Sequence, residues 1–139
     1  MSKLQTPFRY DFVGSFLRPQ VLKDAKAAYR EGKITKEAFD KVADEEITKV
    51  VAKQKKLGFH AITDGEFRRT FWHLDFMWGF DGVAHENTGN GVKFDAELAV
   101  LDDTYLVGKI KAKAHPFVEY FKFLKQFEDE NTVAKYTIP

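Results

Sequence analysis

The sequence has no cysteine. That excludes disulfides and any zinc site that needs thiolates from this chain. Long hydrophobic runs are missing too. No stretch approaches the roughly 20 apolar residues of a membrane span. The first residues, MSKLQTPFRYDF, lack the apolar core of a signal peptide, so the expected location is cytoplasmic. Neither charge sign is in excess: 22 basic and 21 acidic residues are mixed along the chain, for a formal charge of +1. No concentrated basic face is available to nucleic acid or an acidic membrane. The four histidines, His60, His73, His85 and His115, show neither HExxH nor HxH spacing. A phosphate-cradling glycine loop, a nucleophile elbow and a glycosidase carboxylate pair are likewise absent.

What is present is a globular composition, 44% hydrophobic and 31% charged over 139 residues. Disorder is not expected from it. A chain of this length buries about 68% of its unfolded surface and forms one domain or part of one, here taken as residues 1–139.

Residues 8–14, FRYDFVG, have the aromatic and β-branched character of a buried strand ending at Gly14. Pro19 suits the first turn of a helix carrying Val21, Leu22, Ala25, Ala28 and Tyr29 on one side and stopping at Gly32. Thr35 is a good N-cap for the next helix. Its apolar face runs Phe39, Val42, Ala43, Ile47, Val50, Val51 and Leu57, with Gly58 as the C-terminal stop. The charges of that segment are expected on its outer face. A strand FHAIT follows, then a short helix from about Arg68 through Trp78 and a Gly- and Asn-rich loop, GFDGVAHENTGNGV. Residues 92–101 and 104–112 read as strands, 116–127 as a helix with Phe117, Val118, Tyr120, Phe121, Leu124 and Phe127 on one face, and TVAKYTIP as a last strand. Strands alternating with helices predict an α/β fold with parallel pairing. A complete eight-stranded barrel typically takes about 250 residues. The two architectures that remain are a small open sheet and the N-terminal half of a (β/α)8 TIM barrel, incomplete as a single chain. Ending on a strand favours the half barrel.

Ligands of α/β folds gather at the carboxyl ends of strands. Val13-Gly14-Ser15 and Asp64-Gly65-Glu66 both sit there. Gly14 permits close approach of a ligand to the backbone, and Ser15 offers a hydroxyl. Glu66 can accept hydrogen bonds from an amino group or act as a base. The structural alternative is that Asp64 caps a following helix and Glu66 pairs with Arg69. Arg18, Asp64, Arg68, Trp72 and His73 are further candidates to line a pocket, each with an ordinary alternative as a solvated charge or core side chain. An acid–base pair of Asp64 and Glu66 in a small α/β enzyme is a third possibility.

Together, FRYDFVGSFLRP, LGFHAITDGEFRRTFWHLDF and GFDGV, in this order, resemble the cobalamin-independent methionine synthase family, and its short single-barrel members most. The resemblance is strongest over residues 7–83. Uroporphyrinogen decarboxylases share the general architecture but not the DGEFRR arrangement. The resemblance implies a TIM barrel that transfers a methyl group from a methylated folate to the thiol of homocysteine, giving methionine, with zinc bound to the thiol. It matches Val13 and Ser15 to backbone and hydroxyl contacts with the amino acid, beside Gly14, and Glu66 to the carboxylate that takes its ammonium group. No catalytic role is carried over. Asp64 replaces a histidine of the larger enzymes, and Phe12 a histidine usual in the short members. The implied zinc ligands, a histidine, a carboxylate and two cysteines, belong to the barrel's second half and have no counterpart here. The expected partners are therefore homocysteine or methionine and a folate, with no nucleic acid and no membrane. The chain alone is expected to be inactive, and its open barrel edges to favour self-association or pairing with a complementary half.

Overall fold

The computed structural model describes residues 12–94 and 97–139. They form a mixed α/β chain in two compact units, residues 12–69 with 120–138, and residues 70–119 with Pro139. Most of the strand expected at 8–14 lies outside the described residues. Its last residues, Phe12 and Val13, are not in a strand, and the backbone bends at Gly14.

The first unit is organised by two helices. Helix α1 (Gln20–Arg30) starts directly after Pro19, and α2 (Lys36–Lys56) starts at Thr35, whose hydroxyl accepts the N–H of Ala38. The apolar spacing of α2 places Phe39, Ala43, Ile47 and Val51 in the core with Leu22 of α1. Leu57, expected on that face, is instead 63% exposed, because the helix ends at Lys56 and Gly58 turns the chain at φ 80°. The outer-face assignment of charge also needs correction at one position. Glu46 is buried within α2 and is paired with Lys49 at 2.5 Å.

Strand β1 (Ala61–Ile62) follows, buried on both faces. Gln54 of α2 clamps its end, accepting from the Thr63 N–H at 2.9 Å and donating to the Thr63 carbonyl at 2.8 Å. The last strand, β6 (Val133–Ala134), pairs with β1 in parallel, Ala61 opposite Val133 and Ile62 opposite Ala134. This is the parallel pairing that the alternation of elements predicts, with helix α4 (Pro116–Lys125) in the connection. Leu124 of α4 joins the core of the first unit, whereas Val118, expected on the same face, is half exposed.

The second unit departs from expectation more. Instead of a helix from Arg68 to Trp78 there is one turn, α3 (Leu74–Met77). The Asp75 carboxylate takes the N–H groups of Thr70 and Phe71 at 2.8 and 2.7 Å, which holds that stretch in a turn. The segment read as a loop contains β2 (Asp81–Glu86), antiparallel to β5 (Asp103–Lys111). The single strand expected over 92–101 is two, β3 (Gly91–Phe94) and β4 (Glu97–Val100), paired antiparallel. These short pairings are local, and a Gly- and Asn-rich composition hides them because the partner strand supplies the hydrogen bonds.

Candidate functional site

Three chain segments end together in the first unit: Val13–Phe16, Thr63–Arg69, and Lys135–Thr137. Side-chain and backbone hydrogen bonds tie them. The Thr63 hydroxyl donates to the Gly14 carbonyl at 2.9 Å, and the Phe16 N–H donates to the Gly65 carbonyl at 3.1 Å. From the other segment the Thr137 hydroxyl donates to the Val13 carbonyl at 2.6 Å, and the Lys135 ammonium donates to that of Phe12. Gly14 is buried at the meeting point. A Cβ there would strike Thr137 Oγ1 and lie 3.0 Å from Glu66 Oε1, so any side chain at this position forces Thr137 to shift.

The Asp64-Gly65-Glu66 tip owes its shape to local chemistry. Gly65 has φ 68° and Glu66 φ 57°. The left-handed region is natural for the glycine and costs a non-glycine residue roughly 1–2 kcal/mol. Several bonds hold Glu66 there. Asp64 Oδ1 accepts its N–H at 2.8 Å, while its carbonyl takes the Arg69 N–H at 3.1 Å and the Arg18 guanidinium at 3.0 Å. The conformation turns the Glu66 carboxylate back toward Gly14. Both Glu66 and Arg69 are buried, and Arg69 Nη1 donates to Glu66 Oε1 at 3.2 Å. The same guanidinium donates from Nη2 to the Thr137 carbonyl and lies over the Tyr136 ring. Lys26 donates to the Arg69 carbonyl, closing the turn from the α1 side.

Burial dominates the electrostatics. It raises the Asp64 carboxyl above the usual 3.8, against the opposing pull of the Glu66 N–H and the positive Arg69 and Arg68. Asp64 Oδ2 is buried with no hydrogen-bond partner among the described residues. Burial, then the charge of Asp64, pushes the Tyr136 hydroxyl well above its ordinary range.

Gly14 is thus held beside Glu66, with Val13 and Ser15 its chain neighbours; Val13 and Ser15 are exposed, and Gly14 and Glu66 are buried. Arg18 and Asp64 adjoin them, but Arg18 is engaged with the Glu66 and Arg69 carbonyls. Asp64 caps the turn at Glu66 and not a following helix. The Glu66–Arg69 pair is present, so the structural alternative holds for Glu66. Arg68 points elsewhere: it bonds Asp44 and lies over the rings of Tyr120 and Phe123. Trp72 and His73 belong to the second unit, where their rings pack with centroids 4.5 Å apart. Sequence reasoning missed Thr137 and Thr63, the residues that join the tips. The available signal was position alone, a hydroxyl at the carboxyl end of a strand.

A family described as "Cobalamin-independent synthase, Catalytic domain" matches residues 9–98. The uncharacterized Bacillus subtilis proteins YxjH and YxjG are 37% and 35% identical over 97% and 100% of this chain, and 36% of each relative is covered. A 5-methyltetrahydropteroyltriglutamate–homocysteine methyltransferase of Corynebacterium glutamicum is 27% identical over 91% of the chain and 17% of its own length. A crystal structure from Listeria monocytogenes, titled as a candidate vitamin-B12-independent methionine synthase, superposes with a TM-score of 0.76 at 39% identity, covering 99% of this chain and 37% of that one. The chain therefore spans just over a third of the length of YxjH, YxjG and the Listeria protein.

Proposed function

The chain belongs to the cobalamin-independent methionine synthase family, and on that premise we propose that it is the amino-acid-gripping part of a methyltransferase with a half-barrel frame. Its substrate is homocysteine, with methionine as product and a methylated folate as donor. In the reaction the donor's nitrogen–methyl bond breaks as the carbon–sulfur bond forms. The thiol loses its proton, and the departing nitrogen gains one. The task of these residues is to bind and orient. Glu66 takes the ammonium group, the Val13 carbonyl and Ser15 hydroxyl complete the cradle, and Gly14 leaves room for Thr137 to pack against it.

One observation carries this reading. The Glu66 carboxylate is buried against Gly14, where a side chain would collide with Thr137, and its backbone is held at positive φ. Arg69 already pairs with Glu66, a charge-assisted bond that fixes the carboxylate in place for an ammonium group to share. The family resemblance also implies zinc. Among the described residues no group of three or more His, Cys, Asp or Glu is placed to hold a metal, and the sequence has no cysteine. These residues do not fit that ion, so activation of the thiol is no task of theirs. Consequently the 139-residue chain is expected to form no methionine from homocysteine and methyl-folate. Formation of methionine by the purified chain would contradict this. The direct test is titration with methionine. Glu66→Gln is expected to weaken binding about 10- to 100-fold, the effect of removing one charged hydrogen-bond partner. Equal affinity for both proteins argues against the cradle.

A second reading, compatible with the first, is that the chain associates with another copy or a complementary half. It is favoured by an apolar groove of about 310 Å³ in the first unit, lined by Phe12, Phe16, Leu17, Val50, Lys53, Gln54 and Leu57, beside which Leu17 is 98% exposed. Light scattering that finds only monomer at every concentration counts against it.

A further inference from the structure

We infer that Thr137 is a positioning residue for the amino-acid cradle, aiming the Val13 carbonyl at the ligand's ammonium group. The inference rests on the cradle proposed above and extends it to the third segment, which the resemblance does not assign.

A carbonyl oxygen has two lone pairs. Thr137 Oγ1 occupies one by donating to Val13 at 2.6 Å, which fixes the direction of the other. The hydroxyl sits where a Gly14 side chain would be, so it also closes that flank of the cradle. Its own backbone is fixed in turn, since the Thr137 carbonyl accepts from Arg69 Nη2 while Arg69 Nη1 donates to Glu66 Oε1 at 3.2 Å. One guanidinium therefore sets both the carboxylate and the residue that orients the carbonyl. Two oxygens suited to an ammonium group, on chain segments 53 residues apart (66 − 13), are held by Arg69 and by Thr137 in one frame.

A merely structural tie would stabilise the segment without distinguishing ligands, whereas a carbonyl-orienting role acts on the ammonium group alone. The test is titration of the full chain with L-methionine and with its desamino analogue, 4-(methylthio)butanoate. Wild type, Thr137→Val, Thr137→Ser and Glu66→Gln are compared, and folding is checked by thermal melts. Thr137→Val is expected to weaken methionine about tenfold and to leave the desamino analogue unchanged, and Thr137→Ser to restore wild-type affinity. Thr137→Ala repeats the comparison if the valine melts early. Loss of methionine affinity in Glu66→Gln but not in the Thr137 variants overturns the role of Thr137 and leaves the cradle standing. Equal weakening of both ligands makes Thr137 a structural tie and also overturns it. No methionine binding by the wild type overturns the cradle and this role with it.

Discussion

Gly14 is the residue on which the three segments close, and its substitution gives the plainest test of their packing. Gly14→Ala drives a methyl group into Thr137 Oγ1 and toward Glu66 Oε1, and overpacking of this kind costs about 1–3 kcal/mol. Chemical denaturation should show that loss. A midpoint equal to wild type would mean that the segments do not meet as described. Asp64 makes a different prediction, in pH. Its folded carboxyl lies above the unfolded value near 3.8 because burial disfavours its charge. The stability tied to the protonated form is complete below 3.8 and is lost as pH rises through the higher folded value. Asp64→Asn keeps an oxygen for the Glu66 N–H and removes the titration. Its stability relative to wild type should therefore rise over that window. Urea midpoints measured from acid to neutral pH check this, and a difference that does not change with pH would refute it. That Asp64 and Glu66 flank a glycine was legible in the sequence. That Glu66 is held at positive φ was not, because the bonds that stabilise it come from Arg18 and Arg69 as well as Asp64.

Helix α2 was the most legible element, since its capping threonine, apolar spacing and terminal glycine all agree. Its one hidden feature is Gln54, which lies on the buried face and replaces two lost backbone partners at the end of a two-residue strand. Gln54→Leu leaves the Thr63 N–H and carbonyl buried without partners, at about 1–3 kcal/mol for each. Faster hydrogen exchange at Thr63 should accompany the loss of stability. Unchanged exchange there would show that the clamp contributes little. The antiparallel pairs resisted reading for a physical reason. Strand β2 is a Gly-containing, half-exposed segment whose only strong signal is its partner β5, 17 residues beyond its end (103 − 86). Residues 92–101 look like one strand because composition does not mark where β3 ends and β4 begins.

At the scale of the whole molecule, the two units have unequal cores. Leu22, Ala43, Ile47, Val51, Ile62 and Leu124 are essentially inaccessible in the first, while every residue of β5 in the second is exposed. Two-stranded ribbons are marginal in water, so amide exchange should be slowest at Ile47 and Val51 and fastest along β2 and β5. Uniform protection across both units would contradict this.

The sequence by itself determined the two long helices and their stops and the absence of a cysteine thiolate. These follow from local spacing, capping and composition, which act over one or two turns of chain. The tertiary structure alone decided that Thr137 reaches Val13, that Arg69 serves Glu66 and Thr137 together, and that Thr137 packs against Gly14. Those facts depend on atoms up to 124 residues apart, and nothing but the folded packing of the segments brings them within a hydrogen bond.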